Sequence, residues 1–239
     1  MNMSIKKAAR SLPAWLKDPL RTLRSKFIDI HASKSYSQEG EDMILRRIFE
    51  SKEDGFYIDV GAHHPRRFSN TCFFYRRGWR GINIEPNPEA VSRFQRERSR
   101  DTTLQMGVSD VDGMLTYYLF DDPALNSFSK EMTDLRLRTS EYKLVGTKEI
   151  LVQRLDVILR EYLPPGTKLD FLTIDVEGFD LNVLRSNDWD TFRPTCVLVE
   201  SLKTSLEEVL ASETFRFMRD HGYELYAKTV NTLVFTLKQ

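Results

Sequence analysis

The sequence has no excess of either charge, few cysteines and no long apolar run. Its 239 residues carry 35 Lys and Arg against 35 Asp and Glu, so its charge gives no reason to expect a nucleic acid as partner. Cys72 and Cys196 lie in apolar segments without the spacing of metal ligands, which predicts buried free thiols in a reducing compartment and no metal site. No apolar run approaches the roughly 20 residues that span a bilayer, and the first residues lack the apolar core of a secretory signal. We therefore expect a cytoplasmic protein.

Residues 1–35 differ from the rest of the chain, and we predict a basic helical extension there, before a domain of residues 36–239. Up to residue 34 the segment holds eight basic side chains and two acids, with apolar residues at helical spacing and breaks at Pro13 and Pro19. Such a helix could make peripheral contact with an anionic membrane surface. It could equally lie over the domain with its charges in water.

Glycine is scarce where a dinucleotide-binding fold would need it. The first apolar strand ends in the segment FYIDVGAHHP, residues 56–65, which contains a single glycine, Gly61. A dinucleotide-binding turn requires three glycines in the spacing G-x-G-x-x-G. The segment therefore has no cradle for a pyrophosphate.

Apolar segments alternate with helical ones along the chain. Predicted strands occupy residues 56–62, 81–85, 103–108, 169–175, 195–200, 223–228 and 233–237, and an extra hairpin strand occupies 114–120. Predicted helices occupy residues 69–77, 87–98, a segment ending at 162, a segment beginning near 179, and 205–221. Residues 121–147 are polar and irregular, which is typical of a functional loop or of disorder. The alternation predicts an α/β fold, a doubly wound, Rossmann-like and mostly parallel seven-stranded sheet with its last strand antiparallel.

Acidic residues follow nearly every predicted strand, at the sheet edge where ligands bind. Few basic groups accompany them, which argues against a phosphate-rich ligand. A ligand with a positive centre, a ribose and an adenine fits better, and S-adenosylmethionine has these parts. Gly61 would let it approach the backbone, Glu85 would accept hydrogen bonds from the ribose, and Asp110 would accept one from the adenine amino group.

Five motifs together resemble the FkbM-type S-adenosylmethionine-dependent methyltransferases. They are YSQEGED (residues 36–42), IDVGAH, IEPNP, GVSD and FLTIDVEGFD, in this order. The resemblance runs from residue 36 to the last strand. It implies a class I methyltransferase fold and methylation of a hydroxyl group, often on a sugar or natural product.

The resemblance also implies a set of site residues. Asp59 and Gly61 would hold the methionine end of the cofactor, Glu85 the ribose and Asp110 the adenine edge, while Gln38 and Glu41 would close over it. The remaining cofactor-binding candidates are His63, Ser109 and Asp175. Many members have Asn where this chain has His63, which leaves the role of the histidine pair open. Many have Lys where Thr173 stands, so lysine assistance at the reacting centre is in doubt.

An alcohol that attacks a sulfonium must lose its proton, which asks for a general base. We predict that the Asp175/Glu177 pair is this base, with Glu177 preferred because it lies further toward the substrate and Asp175 mainly orienting the cofactor; His64 is the alternative. Asn70 is predicted to touch the acceptor. Simpler roles are also open: Asp175 could bind the cofactor amino group, while Glu177 and Asn70 could cap helices.

We therefore predict an O-methyltransferase that acts on a hydroxyl of a sugar, glycan or glycosylated natural product. Two other classes remain as alternatives. One is a nucleotide- or nicotinamide-binding oxidoreductase, which the missing glycines disfavour. The other is a non-catalytic binding module tethered by the basic N-terminus, which gives no reason to keep acids at the cofactor positions.

Overall fold

The computed structural model describes residues 31–202 and 205–238. Almost all of the predicted basic helix, residues 1–30, lies outside this range, so its membrane contact stays a prediction. Within the described part of the chain, no helix combines the length and the apolar character that a membrane crossing needs.

Eight helices and ten strands form the described part of the chain. The helices are α1 (Glu41–Ile48), α2 (Cys72–Arg76), α3 (Pro88–Glu97), α4 (Lys130–Thr139), α5 (Leu155–Tyr162), α6 (Asp180–Arg185), α7 (Leu206–Ala211) and α8 (Glu213–Asp220), with a 3-10 turn at Pro123–Leu125. The strands are β1 (Phe56–Val60), β2 (Arg80–Ile84), β3 (Thr102–Leu104), β4 (Gly107–Val108), β5 (Gly113–Phe120), β6 (Leu144–Gln153), β7 (Phe171–Ile174), β8 (Cys196–Glu200), β9 (Tyr223–Lys228) and β10 (Thr232–Leu237).

Seven strands form the main sheet in the order β3-β2-β1-β7-β8-β10-β9. Neighbouring strands are parallel except at β10, which runs antiparallel to both β8 and β9. This confirms the predicted doubly wound, class I methyltransferase-like sheet with an antiparallel last strand. Strand order reverses beside β1, so the carboxyl ends of β1 and β7 border the crevice in which such sheets bind ligands.

The main sheet buries both of its faces. Along β1, Tyr57 packs into one apolar cluster and Ile58 into another, because successive side chains of a strand point to opposite faces. The two free cysteines are both buried, as predicted. Asn87 caps α3 by accepting a hydrogen bond from the backbone N–H of Glu89, with Pro88 in the first turn. That helix start was also predicted from the sequence.

The structure corrects four sequence-based boundaries. Residues 103–108 form two short strands, β3 and β4, which belong to different sheets. The predicted irregular segment 121–147 contains the 3-10 turn, helix α4 and the start of β6. The predicted helix 205–221 breaks at Ser212, which ends α7 and caps α8. Helix α2 begins at Cys72 rather than Ser69, although the Ser69 hydroxyl accepts a hydrogen bond from the Cys72 backbone N–H.

Strands β4, β5 and β6 form a second, three-stranded sheet in the order β4-β6-β5. Strand β5 is the predicted extra hairpin strand, but its antiparallel partner is β6. This sheet, together with the 3-10 turn and α4, is an insertion between β3 and α5. We call residues 105–153 the insertion.

Arg98, directly after α3, is buried and bonded to the loop that follows β1. Its guanidinium donates to the carbonyl oxygen of Pro65 through Nε at 3.0 Å and also through Nη2. It donates as well to the hydroxyl groups of Ser69 and Thr71, both at 2.7 Å. The Thr71 hydroxyl in turn donates to the Asp59 carboxylate at 2.7 Å. One buried cation thus fixes the loop and reaches the end of β1.

We predict that Arg98→Met lowers the free energy of unfolding by ~3–5 kcal/mol, because it leaves buried acceptors without their charged donor. Urea denaturation of both proteins measures this difference. The matched control is Arg96→Met, which alters an exposed arginine of α3 and should stay within about 0.5 kcal/mol of wild type. Equal effects of the two substitutions would contradict the role assigned to Arg98.

Candidate active site

A cleft of about 820 Å³, part of it open to solvent, lies at the carboxyl ends of β2, β1 and β7. Eight of the predicted site residues line it: Gln38, Asp59, Gly61, His63, Asn70, Glu85, Asp175 and Glu177. The sequence pattern therefore located the cleft, although it did not establish the role of each side chain.

Backbone strain is concentrated at this cleft. Among the described residues, three that are not glycine have positive φ: His63 (49°), Phe68 (54°) and Glu177 (57°). All three line the cleft. Non-glycine residues adopt this conformation at a cost, and such residues cluster at functional sites.

Gly61 permits the close approach of β1 to β7. Its φ is 80°, and a β-carbon at this position would lie 1.9 Å from the carbonyl oxygen of Asp175. No other residue type fits, because even alanine would overlap the neighbouring backbone. The bare backbone at Gly61 also forms part of the cleft wall.

Glu85, directly after β2, is buried and held by the backbone. One carboxylate oxygen accepts a hydrogen bond from the His63 N–H and the other accepts one from the Asn87 N–H, both at 2.8 Å. Burial raises the pKa of Glu85 from 4.5 to about 7, although the two N–H groups oppose this shift. A carboxylate has about four acceptor positions, so two remain for a ligand in the cleft.

Asp59 lies in the cleft wall beside Glu85, at the end of β1. Burial raises the pKa of Asp59 to about 6, while the hydrogen bond from Thr71 and the charge of Arg98 lower it. A cationic group bound nearby would favour the charged form of both acids.

Three further carboxylates meet at the ends of β7 and β8. Asp175, Glu177 and Glu200 each place an oxygen within 4.8 Å of the others. Asp175 is exposed to the cleft and to a smaller cavity beside it. Desolvation by the neighbouring protein atoms and the negative charges of Glu177, Asp180 and Asp59 raise the pKa of Asp175 well above its usual range.

Glu177 is held by the insertion. Its carboxylate forms an ion pair with the buried guanidinium of Arg136 on α4, and its carbonyl oxygen accepts a hydrogen bond from the Ser127 hydroxyl at 2.8 Å. The helix-capping alternative for Glu177 is wrong, because no side chain caps α6 and the Glu177 carboxylate pairs with Arg136 instead. Burial raises the pKa of Glu177, and the Arg136 guanidinium lowers it. The ion pair occupies the carboxylate, so it argues against Glu177 as the general base.

His64 lies outside the lining of the cleft, and its ring is used locally. Its Nδ1 accepts hydrogen bonds from the backbone N–H groups of Arg66 and Arg67 at 3.0 and 3.1 Å. Burial and the nearby arginines lower the pKa of His64. These contacts favour the structural role and argue against His64 as the base.

Ser109, Asp110 and Glu41 are also absent from the lining of the cleft. The Asp110 carboxylate accepts a hydrogen bond from Asn182 at 3.0 Å, and the Ser109 hydroxyl lies 3.2 Å from that carboxylate. This arrangement gives no support to the predicted contact of Asp110 with adenine or to Ser109 as a cofactor-binding residue. Glu41 is buried, accepts a bond from Thr229 at 3.1 Å, and reaches only the smaller cavity.

Asn70 lies in both cavities, as expected of a residue near an acceptor. Its amide donates a hydrogen bond to the Thr173 hydroxyl at 3.0 Å. The alternative role as a helix cap is wrong, because Ser69 and not Asn70 bonds to the first residue of α2. Thr173 therefore orients Asn70. Many members of the family that the sequence resembles have lysine at the position of Thr173.

The insertion supplies cleft residues that sequence reasoning missed: Tyr117, Pro123, Ala124, Asn126 and Phe128. The rings of Tyr117 and Phe128 pack with centroids 4.6 Å apart, and the Asn126 amide oxygen accepts a bond from the Phe120 N–H at 2.8 Å. One local signal was readable. Ser129 caps α4, and Glu131 follows in its first turn, which is a pattern that marks a helix start.

The sheet order and the carboxylate-lined cleft at its reversal point define a class I methyltransferase architecture. A family model described as the methyltransferase FkbM domain matches residues 59–225. This match covers well over half of the chain, so the chain belongs to the FkbM methyltransferase domain family. It is an S-adenosylmethionine-dependent methyltransferase. That result decides against the oxidoreductase and the non-catalytic binding module.

The chain is similar to several solved methyltransferase structures at low identity and low TM-score. The chain is similar to a TehB-like S-adenosylmethionine-dependent methyltransferase from Corynebacterium glutamicum, with 10% identity, a TM-score of 0.40 and coverage of 92% of this chain and 97% of that one. It is also similar to a 1,6-didemethyltoxoflavin N1-methyltransferase from Burkholderia thailandensis, whose structure holds its substrate and S-adenosylhomocysteine, with 12% identity, a TM-score of 0.44 and coverage of 93% and 90%. No curated protein sequence matches. Likeness at this level says nothing about the acceptor.

The raised pKa of Glu85 predicts that the ligand-free protein loses stability as pH rises. Because this pKa is about 7 in the folded protein and near 4.5 when unfolded, the folded state binds the proton more tightly. The contribution of Glu85 is therefore largest below pH 4.5 and is lost as pH rises to 7, by at most ~3 kcal/mol. Asp59 and Asp180 act in the same direction.

Urea denaturation at pH 5 and pH 8 measures this effect. We expect Glu85→Gln to lose less stability between the two pH values than the wild type does, whatever its absolute stability. Identical losses in both proteins would show that Glu85 titrates normally.

Proposed function

We propose that this enzyme transfers a methyl group from S-adenosylmethionine to a hydroxyl group of a sugar or a glycosylated natural product. The observation that carries the proposal is the row of acids Glu85, Asp59 and Asp175 along the ends of three adjacent strands. Basic side chains do not line this cleft within residues 31–202 and 205–238, apart from the half-buried His63. A cationic, phosphate-free cofactor suits this surface.

The cofactor would lie across the strand ends with its ribose at β2. The two unused acceptor positions of Glu85 would receive the ribose hydroxyl groups, and the backbone at Gly61 would lie against the cofactor. Asp59 and Asp175 would face its positively charged methionine end. The walls of the cleft would align the methyl group with the acceptor.

A hydroxyl acceptor fits the side chains that line the acceptor side of the cleft, past the transferable methyl group. An alcohol needs a proton acceptor, and carboxylates with raised pKa stand there. Phe68 is 46% exposed and lines both cavities. An accessible ring beside amide and carboxyl groups suits a sugar, which has an apolar C–H face and polar edges.

Product analysis tests this function. The full chain would be incubated with S-adenosylmethionine and a panel of methyl hexopyranosides and nucleotide-free glycan extracts, and products would be examined by mass spectrometry for addition of one methyl group. Fragmentation would place the methyl on oxygen or on nitrogen. Methylation of amines but of no alcohol would contradict the proposal.

We predict that Glu85→Ala weakens S-adenosylmethionine binding by roughly 1.5–3 kcal/mol for each charge-assisted hydrogen bond lost. Isothermal titration calorimetry of the purified protein measures this change. Glu89→Ala, which alters an exposed acid in the first turn of α3, should bind as the wild type does. Unchanged affinity in a folded Glu85→Ala protein would overturn the ribose assignment.

A further inference from the structure

We propose that Glu200 is a catalytic residue, which forms with Asp175 a carboxyl pair that holds one proton and takes up the proton of the acceptor hydroxyl. No motif assigned Glu200 a role. The inference rests on the proposed transfer to a hydroxyl group and names the groups that receive its proton.

The position of Glu200 follows from the order of strands. Glu85 and Asp175 directly follow β2 and β7, and Asp59 lies near the end of β1. Glu200 ends β8, the next strand along the sheet. Adjacent strands lie about 4.8 Å apart. A cofactor with its ribose at β2 and its sulfur near β1 and β7 leaves the end of β8 on the side from which the acceptor must come.

A cavity is present at that place. The smaller cavity beside the cleft is lined by Glu200, Asn231 and Thr232, and it shares Asn70, Phe68 and Asp175 with the cleft. A molecule that enters the smaller cavity therefore meets Glu200 and Asp175 before it meets the cofactor. Glu177 lines the cleft but not this cavity.

The charges around the three carboxylates separate Glu177 from the other two. Arg136 forms its ion pair with Glu177. Within residues 31–202 and 205–238, no basic side chain makes an ion pair with Asp175 or Glu200, and the two carboxyl groups each place an oxygen within 4.8 Å of the other. Two carboxyl groups this close oppose each other's ionisation and so favour holding one proton between them, as in other enzymes with paired acids.

The titration behaviour agrees with this geometry. Burial and the negative charges of Asp175, Glu177 and Asp180 raise the pKa of Glu200 to about 11, and only Arg136 opposes them. Asp59 also faces Asp175 and raises its pKa. These effects favour protonation of the pair, and the positive charge of a bound cofactor would favour the charged form of one member.

The reaction balances with this pair. The acceptor oxygen forms a bond to the methyl carbon as the carbon–sulfur bond breaks, and the bonding electrons go to sulfur, which becomes a neutral thioether. The hydroxyl proton moves to the charged member of the pair, so both carboxyl groups are then protonated. One proton returns to water after the product leaves. Phe68 would hold the acceptor against the mouth of the cavity.

Carbon-13 NMR of the full chain, labelled at the glutamate side-chain carboxyl, tests the shared proton without any acceptor. We expect one resonance, absent in Glu200→Gln, that still titrates above pH 7. In Asp175→Asn its midpoint should fall by at least one pH unit, because the neighbouring charge is gone. Titration of this resonance near pH 4.3, as for an ordinary glutamate, would overturn the proposal. Glu224→Gln, at an exposed position of β9, is the control and should leave the resonance unchanged.

Kinetics with radiolabelled S-adenosylmethionine and methyl hexopyranosides test the catalytic step. We expect Glu200→Gln to bind the cofactor within about threefold of wild type in calorimetry and to lose about 10²–10⁴ in turnover, while Glu224→Gln keeps full turnover. Full turnover by Glu200→Gln, with loss in Glu177→Gln, would overturn the assignment.

The two proposals fail in different ways. If the wild type binds the cofactor but methylates none of these sugars, the proposed acceptor class is wrong, and the NMR titration still decides whether the pair holds a proton. If the wild type does not bind S-adenosylmethionine, the cofactor placement itself is overturned.

Discussion

The buried guanidinium of Arg98 is the contact on which the cleft depends. It bonds to Pro65, Ser69 and Thr71, and thereby holds the whole loop between β1 and α2. That loop carries two strained residues, His63 and Phe68. Strained backbone persists only where its surroundings over-determine it. The Arg98 guanidinium therefore fixes two groups of the cleft through this loop. One is the His63 N–H, which bonds to Glu85, and the other is the Phe68 ring.

Desolvated negative charge is the second constraint. The protein places five carboxyl groups at one edge of the sheet and neutralises them unequally: backbone N–H groups bond to Glu85, a threonine bonds to Asp59, and Arg136 pairs with Glu177. Asp175 and Glu200 receive the least compensation. A cationic cofactor supplies a positive charge to these carboxylates. The same uncompensated negative charge therefore serves both cofactor binding and proton uptake. Methyl transfer removes the sulfonium charge, because the product thioether is neutral, and the proton taken up by the carboxyl pair offsets that loss.

The sequence predicted the main sheet well because its strands are continuous apolar runs followed by acids and helix caps. The Asn87-Pro88-Glu89 start of α3 has a local cause and was predicted. Within the insertion, helix α4 was missed because it has no strong apolar face, so its periodicity carries little signal. Arg136 is one of many arginines, and only the fold brings it to Glu177. The local use of His64 Nδ1 depends on a loop geometry that a sequence does not encode in any recognisable pattern.

The pairing of β1 with β7 has a consequence for folding kinetics. Tyr57 pairs with Phe171, with the entire insertion between them in sequence, whereas β5 and β6 pair as near neighbours along the chain. Closing a long loop costs more entropy than closing a short one, and contacts between distant residues form slowly. The insertion can therefore gain its sheet before β1 and β7 meet. Repulsion among the carboxylates at the strand ends then arises only when β1 and β7 pair, late in folding. Gly61 permits this close approach of the two strands.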